Sequence, residues 1–153
     1  MSTRLPHTSA RTRPENLAIL LREPFRLMTD RLHARLSARG YDDFRVPHGA
    51  VFQFLDDAGT PVAELARRAQ MTKQSMTELV THLEQRGYVE RFEDPGDRRS
   101  RPVRATARGL EVYGVVREFV AELDAEIAAK LGAKRVSELR TLLAGLQAAL
   151  REA

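Results

Sequence analysis

Three arginines, Arg98, Arg99 and Arg101, crowd into four positions directly after the turn-forming run Asp94-Pro95-Gly96-Asp97. Guanidinium groups on a loop with nothing to bury suit phosphate oxygens and the deep negative potential of a narrow groove. Asp97, two residues before Arg99, is placed to aim that guanidinium through a charge-assisted bond. Upstream lies a second polar set. Thr72, Lys73, Gln74, Ser75, Thr77, Glu78, Thr81 and His82 alternate with Met76, Leu79, Val80 and Leu83. The apolar members repeat at i, i+3, i+4, i+7, so the polar ones are expected to share the outer face of a helix. Thr72 is the expected cap of that helix. Short polar side chains there suit base edges, and Thr72 and Ser75 near the positive helix end suit a phosphate oxygen. A solvated helix face and a solubilising charged turn are the plainer alternatives, and the helix pattern alone does not separate them.

The surrounding elements must hold these two sets. Residues 1–14 carry Arg4, Arg11 and Arg13 without an acid and read as a flexible basic arm. A helix is expected from about Glu15 to Gly40, with Leu17, Leu21, Phe25, Met28, Leu32 and Leu36 at helical spacing and Pro24 as a kink. A short helix follows within Gly49 to Asp57. Thr60 is read as the cap of the next helix, with Pro61 at its first position and Val62, Leu65, Ala66 and Ala69 as its buried stripe. Past the polar helix the period changes to two. Tyr88 to Phe92 and Pro102 to Ala105 read as the strands of a hairpin, with Pro102 on an open side because it cannot donate to a ladder. From Ala107 the chain is helical again, with Val112, Val116, Val120, Leu123 and Ile127 on one stripe. Gly132 breaks the run, and Val136, Leu139, Leu143, Leu146 and Leu150 mark a last helix. Neither terminal helix can cover its apolar face on a small central lobe, so a homodimer is expected.

The net charge of +4 is modest, but its distribution is uneven: residues 98–108 hold five arginines and no acid. The chain has no cysteine, which removes disulfides and thiolate chemistry. The longest apolar run, Leu17 to Leu21, is far short of the ~20 residues of a membrane span, and the N-terminal stretch lacks the apolar core of a secretory signal. A reducing cytoplasm is the expected location. Glycine-rich nucleotide loops and the G-x-S-x-G elbow are absent. The four histidines stand apart without metal spacing, and Asp42-Asp43 and Asp56-Asp57 read as caps or turns rather than acid/base pairs. An enzyme is not expected, and no cofactor is implied. Phe25, Met28, Phe44, His48 and Phe52 are candidates for the border of a ligand cleft, with plain core residues as the alternative. His48 is the one whose imidazole would bind or sense a carboxylate near neutral pH.

Two short helices joined at Gln70-Met71 and followed by a hairpin give the order of a winged helix-turn-helix. The fold class is therefore mainly α (α+β): an N-terminal dimerisation helix over 15–40, a DNA-binding lobe over 45–106 and C-terminal dimerisation helices over 107–153. The run from Met71 to Arg91, then Asp94 to Arg101, then Thr106-Ala107-Arg108-Gly109, resembles the MarR family of winged-helix transcriptional regulators. The wing signature, Asp97-x-Arg99 followed by Thr106-x-x-Gly109, carries most of the likeness, which extends over about residues 15–150. The resemblance implies a homodimeric, ligand-responsive regulator, expected to be a repressor, on a pseudo-palindromic site in double-stranded DNA. Helix 72–86 would enter the major groove and wing 93–101 the minor groove. A small aromatic or anionic effector would bind between the dimer helices and the DNA-binding lobe. Three features depart from the family pattern. Glu78 stands where many members carry a base, and would accept from a cytosine N4 or hold a neighbouring arginine. Pro102 and Ala105 replace larger apolar residues in the returning wing strand. The lack of cysteine excludes the family's peroxide-sensing branch. The competing reading is a winged-helix module that binds protein rather than DNA. A small-molecule enzyme, for which no residue set nominates a chemistry, is a weaker third.

Overall fold

The computed structural model describes residues 16–97 and 99–152; the basic arm expected over 1–14 and Arg98 lie outside the described residues. Helix α1 spans Leu17–Ala38 and starts on Asn16, whose side chain accepts from the Ile19 N–H. Pro24 sits inside it without ending it. After a single 3₁₀ turn over Val46–His48 come α2 (Gly49–Phe54), α3 (Val62–Ala69) and α4 (Lys73–Gln85). Strands β1 (Val89–Arg91) and β2 (Val103–Ala105) pair antiparallel in the register Val89↔Ala105, Glu90↔Arg104 and Arg91↔Val103. Helices α5 (Ala107–Leu131) and α6 (Ala133–Glu152) complete the chain. None of the described helices is long and apolar enough to cross a membrane.

The core lies under the helix-turn-helix. Leu65 and Ala66 of α3, Met76, Val80 and Leu83 of α4, Val89 and Val103 of the hairpin and Val112 of α5 converge with Phe44, Val51 and Tyr88. The α3–α4 turn is closed by Gln70, which takes a left-handed φ of 55° while its N–H and that of Met71 return to carbonyls of the last α3 turn. A non-glycine residue there carries a steric cost, accepted because the turn sets the angle between the two helices.

Three local expectations are corrected. Thr60 does not cap α3; Pro61 holds that position, and the Thr60 backbone is bound on both sides to Val103. Its buried hydroxyl accepts from the Asp56 N–H, so the α2–α3 linker adds a short rung to the outer side of the hairpin. Pro102 is buried rather than open-sided. Its carbonyl accepts from the Phe92 N–H, and the ladder ends at that rung because proline returns no donor. In α5 the buried stripe is Val112, Val115, Phe119 and Leu123, whereas Val120 is exposed. This helix carries two apolar faces, and the lobe together with α1 covers only one.

Helix α1 lies antiparallel on α5. Arg31 pairs with Glu126 and Arg35 with Glu122, both at 2.6 Å, and the Arg35 guanidinium lies over the Phe119 ring. The N-terminal half of α1 leaves Leu17, Leu20, Leu21, Phe25 and Leu27 exposed, and α6 buries no side chain within the single chain.

Candidate nucleic-acid interface

Helix α4 begins as its sequence predicts. The Thr72 hydroxyl accepts from the Ser75 N–H at 3.1 Å and reaches the Ser75 hydroxyl at 2.8 Å, satisfying a first-turn donor. Met76, Val80 and Leu83 face the core, and Thr72, Lys73, Gln74, Ser75 and Glu78 are exposed. Thr77 is half-buried and donates its hydroxyl back to the Lys73 carbonyl. Glu78 holds no arginine among the described residues; it accepts from the Gln74 amide at a long 3.4 Å. His82 departs from the expected outward face. Its ring stacks on His48 with centroids 4.3 Å apart, and Nε2 lies 3.3 Å from the Asp43 carbonyl, so it is half-buried against the α1–α2 loop. The helical wheel places His82 at the margin of the polar face, and the loop claims it.

The hairpin tip is built from side-chain-closed turns. The Gly96 N–H donates to Asp94 Oδ1 at 2.9 Å, and the Arg99 N–H donates to Asp97 Oδ1 at 3.0 Å. Asp97 therefore braces the Arg99 backbone and not its guanidinium as expected. A carboxylate two residues upstream reaches the main-chain N–H with fewer fixed torsions than it needs to meet the end of a long side chain. Lys73, Arg99 and Arg101 are exposed and make no ion pair among the described residues. Most other arginines of the lobe are committed: Arg67 and Arg68 to Glu64, Arg91 to Glu84, and Arg104 to Glu90 with its guanidinium over Phe92. The Arg91–Glu84 pair ties the base of the wing to α4. Among the described residues, the exposed lobe cations without an ion pair are thus Lys73 at the start of α4, Arg99 and Arg101 on the wing, and Arg45 ahead of α2.

Asp43, read from sequence as a cap, proves to be a hub. It accepts from the Tyr88 hydroxyl at 2.5 Å and pairs with Arg86 at 3.5 Å, while Arg108 reaches it at 3.9 Å and the Tyr88 hydroxyl at 3.1 Å. Burial and then the Asp43 carboxylate push the Tyr88 hydroxyl up to about 12, so it stays a donor. The hub joins the α1–α2 loop, the end of α4, the hairpin base and the start of α5. No local pattern announces it, because Tyr88 lies 45 residues from Asp43 and 20 from Arg108.

The five ligand candidates do not meet in one site. Phe44, His48 and Phe52 are buried in an aromatic cluster with Tyr88 and Tyr113. Phe44 also forms part of the wall of a groove of about 720 Å³ between α2 and α5, beside Gln53, Tyr113, Val116, Arg117 and Val120. Phe52 lines a separate cavity of about 360 Å³ near Ala105 and Leu110. Phe25 and Met28 border neither. His48 is not a neutral-pH sensor: its Nδ1 accepts from the Arg45 N–H at 2.8 Å. Burial, followed by the charges of His82 and Arg86, lowers it to about 4.

A stability effect follows from His48. The unfolded imidazole titrates near 6.5 while the folded one stays neutral down to about 4, so the unfolded chain binds the extra proton. The His48 contribution is complete above pH 6.5 and is lost as the pH falls towards 4, at up to about 1.4 kcal/mol per pH unit. Glu64 and Glu126, held at about 2 by their arginine partners (and Lys130 for Glu126), act below that window. Urea unfolding between pH 6.5 and 4.5 should show this loss, and His48→Gln, which keeps an acceptor but no titration, should flatten it. Equal slopes for both proteins would contradict the assignment.

Two helices set by a left-handed turn, a short antiparallel hairpin and long flanking helices define a winged helix-turn-helix protein. The MarR family model matches residues 43–100, and the chain belongs to that family. It is 35% identical over 85 residues to the HTH-type transcriptional repressor Rv2887 of Mycobacterium tuberculosis (strain ATCC 25618 / H37Rv), over 56% of this chain and 61% of the relative. The chain thus spans about three-fifths of that relative's length. It is 31% identical over 90 residues to the transcriptional regulator HosA of Escherichia coli O111:H-, over 58% of this chain and 67% of HosA. Its fold is similar to that of Streptococcus pneumoniae FabT in complex with DNA, with a TM-score of 0.76 and 16% identity, covering 89% of this chain and 96% of FabT.

Proposed function

We infer that this chain is a sequence-specific, DNA-binding transcriptional regulator that acts as a homodimeric repressor. The observation that carries the reading is the joint exposure of uncommitted cations and short polar side chains on α4 and the wing, two elements tied together by Arg91–Glu84. Helix 72–86 enters the major groove and wing 93–101 the minor groove, with Arg99 reaching between the sugar-phosphate walls. The bare leucines of α1 and α6 supply the dimer face, which sets two reading helices about one helical turn apart, ~34–36 Å, on a pseudo-palindromic site. The names of the mycobacterial repressor and of the FabT–DNA complex support the same reading.

The α2–α5 groove has the volume of a small-molecule site. Its aromatic wall and Arg117, which has no carboxylate partner among the described residues, suit an aromatic anion; Asp124 at its far end is engaged by Arg140 at 2.7 Å. An effector there alters DNA affinity by its differential binding to the two helix spacings, typically ~1–3 kcal/mol.

The test is fluorescence anisotropy with random duplex DNA over a salt series. A dimer presenting Lys73, Arg99 and Arg101 twice neutralises about six phosphates, so affinity should fall on the order of a thousandfold between 50 and 200 mM salt. Absent or salt-independent binding would instead favour a protein-interaction module.

A further inference from the structure

Glu78 is the anomaly in a surface otherwise fitted to a polyanion. With Met76 as origin and about 100° per residue, Val80 and Leu83 fall near 40° and −20°, whereas Gln74 and Glu78 fall near 160° and 200°. These two side chains therefore point away from the core, with Ser75 near 260° on one side of them and Thr77 near 100° on the other. In a docked α4, the flanks meet the phosphate walls and the Gln74–Glu78 row meets the base edges. No lysine or arginine reaches Glu78 among the described residues, and its neighbour is the Gln74 amide at 3.4 Å. An exposed carboxylate without a cation, at the floor of a groove, is tolerated only where the DNA offers it hydrogens.

We propose that Glu78 is a specificity-determining residue that reads a cytosine in each half-site by accepting from its exocyclic N4 amino group. The proposal rests on the DNA-binding reading above and names the base that reading leaves open. A carboxylate is acceptor-only. Guanine and thymine present acceptors to it and repel it, and adenine sets its N7 acceptor beside the N6 amino group. Cytosine alone carries an amino group with no acceptor on its own major-groove edge. Gln74, which both donates and accepts, matches the paired N6 and N7 of adenine. It stands about 6 Å along the helix from Glu78, within two base-pair steps. The half-site is therefore expected to carry a cytosine and an adenine at adjacent or next-adjacent positions under the α4 N-terminal turns.

The experiment is selection of bound duplexes from a random library by the full chain, wild type and E78Q, followed by affinity measurements on the selected site. Wild type should enrich a fixed cytosine in each half-site and lose ten- to a hundredfold in affinity when that C·G pair becomes T·A. E78Q should bind the original site and lose most of this discrimination. An unchanged base preference in E78Q, with its circular dichroism like that of wild type, would overturn the assignment to Glu78 while leaving DNA binding intact. Failure of wild type to enrich any duplex would overturn the DNA-binding reading, and this assignment with it.

Discussion

Gly109→Ala is expected to destabilise the protein by about 3 kcal/mol or more, a large share of the stability of a domain this size. A Cβ at Gly109 would stand 2.0 Å from the Tyr88 carbonyl oxygen, 3.0 Å from its carbon and 3.1 Å from Phe52 Cε1. The obstacle is backbone, and it is pinned. The Tyr88 N–H donates to Leu83, its carbonyl accepts from the Thr106 N–H at 3.1 Å, and its hydroxyl is held by Asp43. Relief requires α5 to back away by more than an ångström, breaking the bonds of the Thr106 N–H to the Tyr88 carbonyl and of its hydroxyl to the Gly87 carbonyl. Alanine gains about 1 kcal/mol of helix propensity over glycine, too little to offset this. Gly114 is the control: nothing lies within 4 Å of its added Cβ, so Gly114→Ala should be neutral or slightly stabilising. Urea unfolding of the two variants checks the contrast, and similar midpoints would show that α5 is free to move. The same contact gives the Thr106-x-x-Gly109 spacing a physical cause: threonine caps α5 and glycine lets that first turn touch the backbone at Tyr88, at the base of the hairpin.

Arg99→Ala should cost about 1–3 kcal/mol of DNA affinity per half-site, hence on the order of a hundredfold or more for a dimer, while leaving the melting temperature within a degree or two. The asymmetry follows from the surroundings of the side chain. Arg99 is exposed, and only its backbone N–H is engaged, by Asp97 Oδ1 at 3.0 Å. Among the described residues nothing engages the guanidinium; the proposed minor-groove contact depends on it entirely. Asp97 acts one step removed. Asp97→Asn keeps an acceptor for the Arg99 N–H and should retain most affinity, whereas Asp97→Ala opens the turn and should approach the loss seen for Arg99→Ala. Gel-shift titration beside thermal melting separates the two quantities. Wild-type affinity for Arg99→Ala would remove the wing from the interface, and a large fall in melting temperature would show a structural role that the geometry does not contain.

Periodicity was enough to place α4, its Thr72 cap, the hairpin and the long terminal helices, because hydrophobic spacing and capping are local properties that act within one or two helical turns. Residue types alone also marked where positive charge collects. Tertiary structure decided the rest. It turned His82 inward onto His48, exposed Val120 while burying Phe119, and gathered Asp43, Tyr88, Arg86 and Arg108 into one hub. Those outcomes depend on which surfaces meet after the chain has doubled back, and residues 20 to 45 positions apart leave no periodic trace of one another. Gly109 shows both sides of this. The sequence carries the glycine in plain sight, but only the approach of Tyr88 to 2.0 Å from its missing side chain explains why no larger residue fits there.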